Sequence, residues 1–87
     1  MDYYKILWKK SAVKELKNID EQILPKLISA VENLSSNPFP SGVKKLSGAE
    51  FSYRVRVGDY RIIYSLYKKE LIIEIIRVGH RKDVYKK

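Results

Sequence analysis

Two periodicities and a cysteine-free composition predict a single α+β domain: an N-terminal strand, a two-helix hairpin, then a three-stranded antiparallel meander and a short basic C-terminal tail. Apolar residues recur at helical spacing through the first half of the chain and at strand spacing from residue 51 onward. The 87 residues suffice for one modest core and not for two, so 1–87 is read as one domain. With no cysteine in the chain, neither disulfides nor a thiolate metal site contributes, and packing must hold the fold together.

The elements follow in order. "YYKILW", residues 3–8, alternates bulky residues and reads as the first strand. In "SAVKELKNI", Val13, Leu16 and Ile19 share one helical face behind Ser11, whose hydroxyl suits an N-cap. "DEQILPKLISAVENLSSNP" sets Leu24, Leu27, Val31 and Leu34 on one face with Ile28 beside them, and Asn37-Pro38 ends it. Proline is tolerated only in a first turn, so this longer helix is expected to begin near Pro25. The stretch 35–50, rich in Ser, Gly and Pro, reads as a loop joining the two halves. "FSYRVRV" then alternates, Gly58-Asp59 suits a type II′ turn with glycine first, and "YRIIYSLY" returns antiparallel. After "KKE", the segment 71–78, "LIIEIIRV", is apolar on both faces, as a central strand would be. The last nine residues, "GHRKDVYKK", form the tail.

A two-residue turn at Gly58-Asp59 fixes the register. Val57 then faces Tyr60, Val55 faces Ile62, Tyr53 faces Tyr64 and Phe51 faces Leu66, all on the core side. The other side receives Ser52, Arg54 and Arg56 from one strand and Arg61, Ile63 and Ser65 from the next, with Arg56 directly opposite Arg61. Like charges so placed cost up to about a kcal/mol. The fold gains nothing from that, whereas a phosphate or carboxylate between two guanidinium groups would be held bidentately. The competing reading is a solvated face whose long stems cover Ile63.

Charge placement favours an anionic partner. The formal net charge is +8; residues 1–50 hold eight Lys and no Arg against six acids, and residues 51–87 hold five Arg and five Lys against four. Such a balance fits nucleic acid or an acidic protein. Lys9, Lys10, Lys14 and Lys17 of the first helix are either its solvated side or a further contact with nucleic acid. No apolar run approaches the roughly 18 residues that span a bilayer, so no membrane role is expected. The start, "MDYYKILWKK", does not resemble a signal peptide, so the expected compartment is the cytoplasm.

Several chemistries are excluded. There is no Cys, no G-x-S-x-G, no phosphate-binding Gly loop, and His80 has only Asp83 near it in sequence as a companion ligand. Catalysis without metal or cofactor must rest on Arg, Tyr, His or Lys. RNA permits this, because its own 2′-hydroxyl can attack the adjacent phosphorus when cations stabilise the developing charge.

"YRVRVGDYRIIY", followed after the third strand-like segment by "RVGHRKDVY", resembles the C-terminal half of the RelE/ParE superfamily of toxins, and the strand and helical hairpin before it fit that layout. The RelE branch enters the ribosomal A site and cleaves mRNA by 2′-hydroxyl attack, and a cognate antitoxin, RelB-like and acidic, neutralises it. The resemblance implies the same reaction and partners here. It assigns Arg54 and Arg56 to the two basic positions of the first hairpin strand, Arg61 to the arginine that begins the next, Arg81 to the tail arginine and Tyr85 to the late tyrosine. Arg61 and Arg81 would hold the scissile phosphate, Arg54 and Arg56 would assist, and Lys82 would join them in binding RNA.

One departure matters. The first two positions are lysines in the best-studied RelE branch, and arginine cannot act as a general base. Proton transfer then falls to Tyr85 or to His80, whose imidazole titrates nearest neutrality, although the matching position in that branch is not His. For His80 the competing reading is a capping or stacking role, and for Tyr85 a ring packed on the sheet edge. Two rival functions stand beside the nuclease: a ParE-like inhibitor of DNA gyrase, and an RNA-binding module without catalysis.

Overall fold

The computed structural model describes residues 3–48 and 50–81. Along the chain lie β1 (Lys5–Trp8), α1 (Lys10–Leu16), α2 (Leu24–Leu34), β2 (Lys44–Lys45), β3 (Ser52–Val57), β4 (Tyr60–Tyr67) and β5 (Ile72–His80). The sheet order is β1-β5-β4-β3-β2, with β1 parallel to β5 and the other pairs antiparallel. The expected α+β layout is present, and the β3–β4 register is the expected one, pairing Val57 with Tyr60 and Arg56 with Arg61.

Both helices cover one face of this sheet. Ala12 of α1 and Leu27, Val31 and Leu34 of α2 pack with Val55, Ile62, Tyr64, Leu66, Ile73, Ile75 and Val78 in one buried cluster. Tyr64 is fully buried, and its hydroxyl donates to the Pro38 carbonyl at 2.6 Å. Burial, and secondarily the neighbouring Tyr53, pushes that phenol up to about 12. Among the described residues no helix is long and apolar enough to cross a membrane.

The helix starts differ from expectation in one case. Pro25 lies in the first turn of α2, as anticipated. Ser11, expected as the N-cap of α1, lies inside the helix; the cap is Lys9, with extended backbone and no side-chain capping bond. Strand pairing decides this, because the Lys9 N–H donates to Ile75 O at 3.0 Å and its carbonyl accepts Ala12 N–H at 2.9 Å. The chain therefore leaves the sheet and enters the helix at one residue.

Three further corrections concern the sheet. The segment 35–50 is not loop throughout, since β2 pairs Lys44 with Arg54 and Lys45 with Tyr53. The last strand runs on through His80, beyond the expected end at residue 78, and starts at Ile72 because Leu71 takes a left-handed turn conformation (φ 56°). Phe51 has its carbonyl bonded by Leu66 N–H at 2.8 Å as the register requires, yet its ring is 55% exposed because it lies at a corner outside the buried cluster.

Strand β5 also carries a register shift opposite Ile63 and Tyr64: Ile63 pairs with Arg77 and Tyr64 with Ile75, leaving Ile76 as the extra residue. A bulge of this kind reverses the phase of the strand beyond it. Ile73 and Ile75 face the helices before the shift, and Val78 does so after it. Arg77 and Gly79 consequently share the register face of Ile63 and Arg61, and His80 shares that of Tyr60.

Candidate anion-binding site

The site begins with a turn. Gly58 has φ 59°, a value that glycine adopts without a Cβ penalty, and the turn it forms brings Arg61 opposite Arg56. Arg54 lies two residues back on the same face, and β2 adds Lys44 directly across from Arg54. Together Ser41, Gly42, Lys44, Arg54, Arg56, Gly58 and Arg61 line a cleft of about 520 Å³. Four of these seven residues are cations and none is a carboxylate. At this spacing the cations repel one another, and water screens that repulsion. An oxyanion entering the cleft converts it into attraction on several sides.

Arg61 is held by its own turn. Its Nη1 donates to the Gly58 carbonyl at 3.1 Å and to the Tyr60 carbonyl at 3.0 Å. The turn thus aims the guanidinium, and among the described residues no acid lines the cleft beside it. Arg81 follows β5, and its backbone N–H donates to the Asp59 carbonyl at 2.7 Å. The same two-residue turn therefore holds Arg61 by its side chain and Arg81 by its backbone. Tyr85 and Lys82, both expected at the site, lie outside the described residues.

His80 is not brought to the arginine cleft. Its ring meets Tyr60 edge-on with centroids 5.6 Å apart, and both residues line a separate cleft of about 340 Å³ with Glu15, Asn18, Ile19, Val78 and Gly79. Arg77, whose face the sequence leaves open, has a structural position. Its Nε and Nη2 donate to Glu15 Oε2 at 3.3 and 3.1 Å, and Glu15 Oε1 accepts the Val78 N–H at 3.0 Å. Glu15 of α1 thereby satisfies backbone of β5 beyond the point where its pairing with β1 ends. Among the described residues no group of three or more acidic or histidine side chains is placed to hold a metal ion.

Lys44 is the lining residue that sequence reasoning missed. A two-residue strand shows no alternation, so nothing in "GVKKLSG" marks one lysine as facing the arginines and the next as facing away. Chemically Lys44 differs from its neighbours, since it adds a compact ammonium on a flexible stem to their rigid guanidinium forks.

A family model described as the ParE toxin of type II toxin–antitoxin systems, parDE, matches residues 6–85. The putative toxin RelE1 of Methanocaldococcus jannaschii is 34% identical over 80 residues, covering 88% of this chain and 89% of that one. Among solved structures, the archaeal RelE–RelB complex from Pyrococcus horikoshii has a chain that superposes with a TM-score of 0.81 at 30% identity, covering 93% of this chain and 98% of that one. The RelBE2 toxin–antitoxin complex from Mycobacterium tuberculosis gives a TM-score of 0.82 at 26% identity, covering 95% and 97%. A match spanning most of the chain, with relatives similar over nearly their whole length, places this chain in the RelE/ParE family of type II toxin–antitoxin toxins.

Proposed function

We propose that this toxin is a metal-independent endoribonuclease that cleaves mRNA in the ribosomal A site by 2′-hydroxyl attack and so halts translation in the cytoplasm. The observation that carries this reading is the cleft of Lys44, Arg54, Arg56 and Arg61, whose lining among the described residues supplies cations and no carboxylate. A phosphorane formed during 2′-hydroxyl attack gains negative charge on its equatorial oxygens. Preorganised donors at that position stabilise the transition state more than the ground state. Arg61, already aimed by two carbonyls, and Arg81, docked on the same turn, would hold the scissile phosphate. Arg54 and Arg56 would add electrostatic support.

The proton of the attacking hydroxyl needs an acceptor other than arginine. Tyr85, at the late-tyrosine position of the family resemblance, is the side chain that would position or take that proton, and Lys44 would add a fourth positive charge beside the phosphate. His80, on the other sheet face with Tyr60, is better suited to packing than to proton transfer in this cleft. The partners are mRNA on the ribosome and a cognate acidic antitoxin, which would cover the arginines; the solved relatives from Pyrococcus horikoshii and Mycobacterium tuberculosis are themselves a RelE–RelB complex and a toxin–antitoxin complex.

The experiment is primer extension on mRNA in programmed ribosomes, with wild-type protein and with Arg81→Ala. Cuts inside the A-site codon that the substitution abolishes are the expected result. A second reading, gyrase inhibition, is favoured by the ParE description of the matching family model. It predicts inhibited DNA supercoiling and no RNA cuts. RNA binding that weakens with salt, without cuts, would instead mark a binding module.

A further inference from the structure

We infer a second RNA contact surface at the corner of the sheet where β3 starts and β4 ends: an aromatic and lysine groove that takes the single-stranded RNA as it leaves the arginine cleft over the β2 edge. This rests on the proposed action on RNA. Phe39, Phe51 and Tyr67 are 42%, 55% and 38% exposed, and they make up three of the six exposed large hydrophobics among the described residues. Singly exposed apolar residues are ordinary, but a gathered set is not. Phe51 and Tyr67 sit with ring centroids 6.4 Å apart, inclined at 40°. They line a groove of about 550 Å³ with Tyr53, Leu66, Lys45, Lys68 and Lys69, and with the acids Glu50 and Glu70.

Neither helix supplies a lining residue to this corner, so the fold leaves the rings to solvent. Phe39 is already engaged, edge-on to Tyr53 at 5.2 Å and beneath the Lys68 Nζ at 5.4 Å. That arrangement makes Phe51 and Tyr67 the rings available for stacking. Bases stack on such rings without regard to sequence, and lysines beside them track the phosphates. Continuity with the cleft comes from β2: Lys44 pairs with Arg54 on the arginine face, and Lys45 pairs with Tyr53 on the aromatic face. An RNA strand crossing this two-residue edge meets cations on one side and rings on the other. Charge calls for an anionic occupant, because the path from groove to cleft adds Lys44, Arg54, Arg56 and Arg61 to three lysines against two acids, and continuity with the cleft that holds the scissile phosphate makes that occupant RNA.

The test uses fluorescence anisotropy with 2′-O-methyl oligoribonucleotides, which bind but cannot be cleaved, of about five and about twelve nucleotides. The wild type should bind the longer one at least about tenfold more tightly, as loss of one base–ring stack typically costs about that much. The pair Phe51→Ala and Tyr67→Ala, both at exposed positions, should erase this length advantage while leaving the shorter oligonucleotide's affinity and the urea unfolding midpoint unchanged. Equal affinity of the wild type for the two lengths, no binding of either, or a length advantage that survives both substitutions overturns the groove and leaves the rings to a protein partner. Primer extension on ribosomes decides the nuclease reading separately, so the failure of one inference is distinguishable from the failure of the other.

Discussion

Arg77 and Arg61 lie on adjacent strands of one sheet and are treated in opposite ways. Arg77 is held by the Glu15 carboxylate, which also caps the Val78 N–H, so its charge is answered within the fold. Arg61 stands across from Arg56 in a cleft whose lining, among the described residues, holds no acid, and its side chain donates to two carbonyls of its own turn. The chain can supply a carboxylate to an arginine, and it does so where a strand edge needs closing. Where the described lining supplies other cations instead, the cleft is suited to an anionic ligand.

The strongest way to break this contrast is to give Arg61 a partner of its own. Arg56→Glu should lower A-site cleavage at least about 100-fold, since it fills an oxyanion position with a carboxylate. The same substitution should raise stability by up to about 1 kcal/mol, because a repulsive cross-strand pair becomes attractive. Urea unfolding and single-turnover cleavage read the two effects in opposite directions. Activity lost together with stability would argue that the arginines are structural.

The converse change is Glu15→Ala, which removes the acceptor of Arg77 and of the Val78 amide. It should destabilise the fold by about 1–2 kcal/mol, most of it from the stranded amide, since a partly exposed ion pair contributes little. Cleavage by the folded fraction should stay within about twofold of wild type, because Glu15 lies outside the cleft.

Gly58→Ala sharpens the account of the turn. A Cβ there would meet nothing within 4 Å, so the cost comes from the positive φ alone, about 1 kcal/mol. Cleavage should fall about tenfold if the turn aims Arg61 and docks Arg81, since small misplacements at a reacting centre are costly. A D-alanine at position 58, which favours positive φ, should restore both. A loss of stability without loss of cleavage would separate the turn from the site.

The smallest effect belongs to the core. Tyr64→Phe deletes the bond to Pro38 and should cost about 1 kcal/mol. The folded phenol keeps its proton up to about 12, against 10.0 ordinarily. Its contribution is therefore complete below about pH 10 and is lost as pH rises toward about 12. The wild type should lose more stability than the variant across that window, as followed by denaturant titration.

How much was legible depends on the length over which a pattern repeats. The β3–β4 hairpin announces its register through six alternating residues and a Gly-Asp turn, and the arginine face follows from it directly. Pro25 marks the start of α2 because its missing N–H has one comfortable place. Two-residue β2 offers no pattern, so Lys44 stayed hidden. Ser11 failed as a cap because strand pairing at Lys9, a long-range effect, set the helix start. The position of His80 depends on one extra residue. Without the shift at Ile76, alternation from Ile73 and Ile75 would carry His80 to the arginine face, and the spacing of Val78 from Ile75 is the only trace of it in the sequence.

The most direct measurement is single-turnover cleavage on programmed ribosomes by Arg61→Ala and Arg77→Ala side by side, each with its folded fraction verified. The account predicts cuts within the A-site codon by wild type, a loss of about 100-fold or more for Arg61→Ala, and near-normal cutting by folded Arg77→Ala. Equal impairment of the two variants, or no cutting by folded wild-type protein, would contradict it.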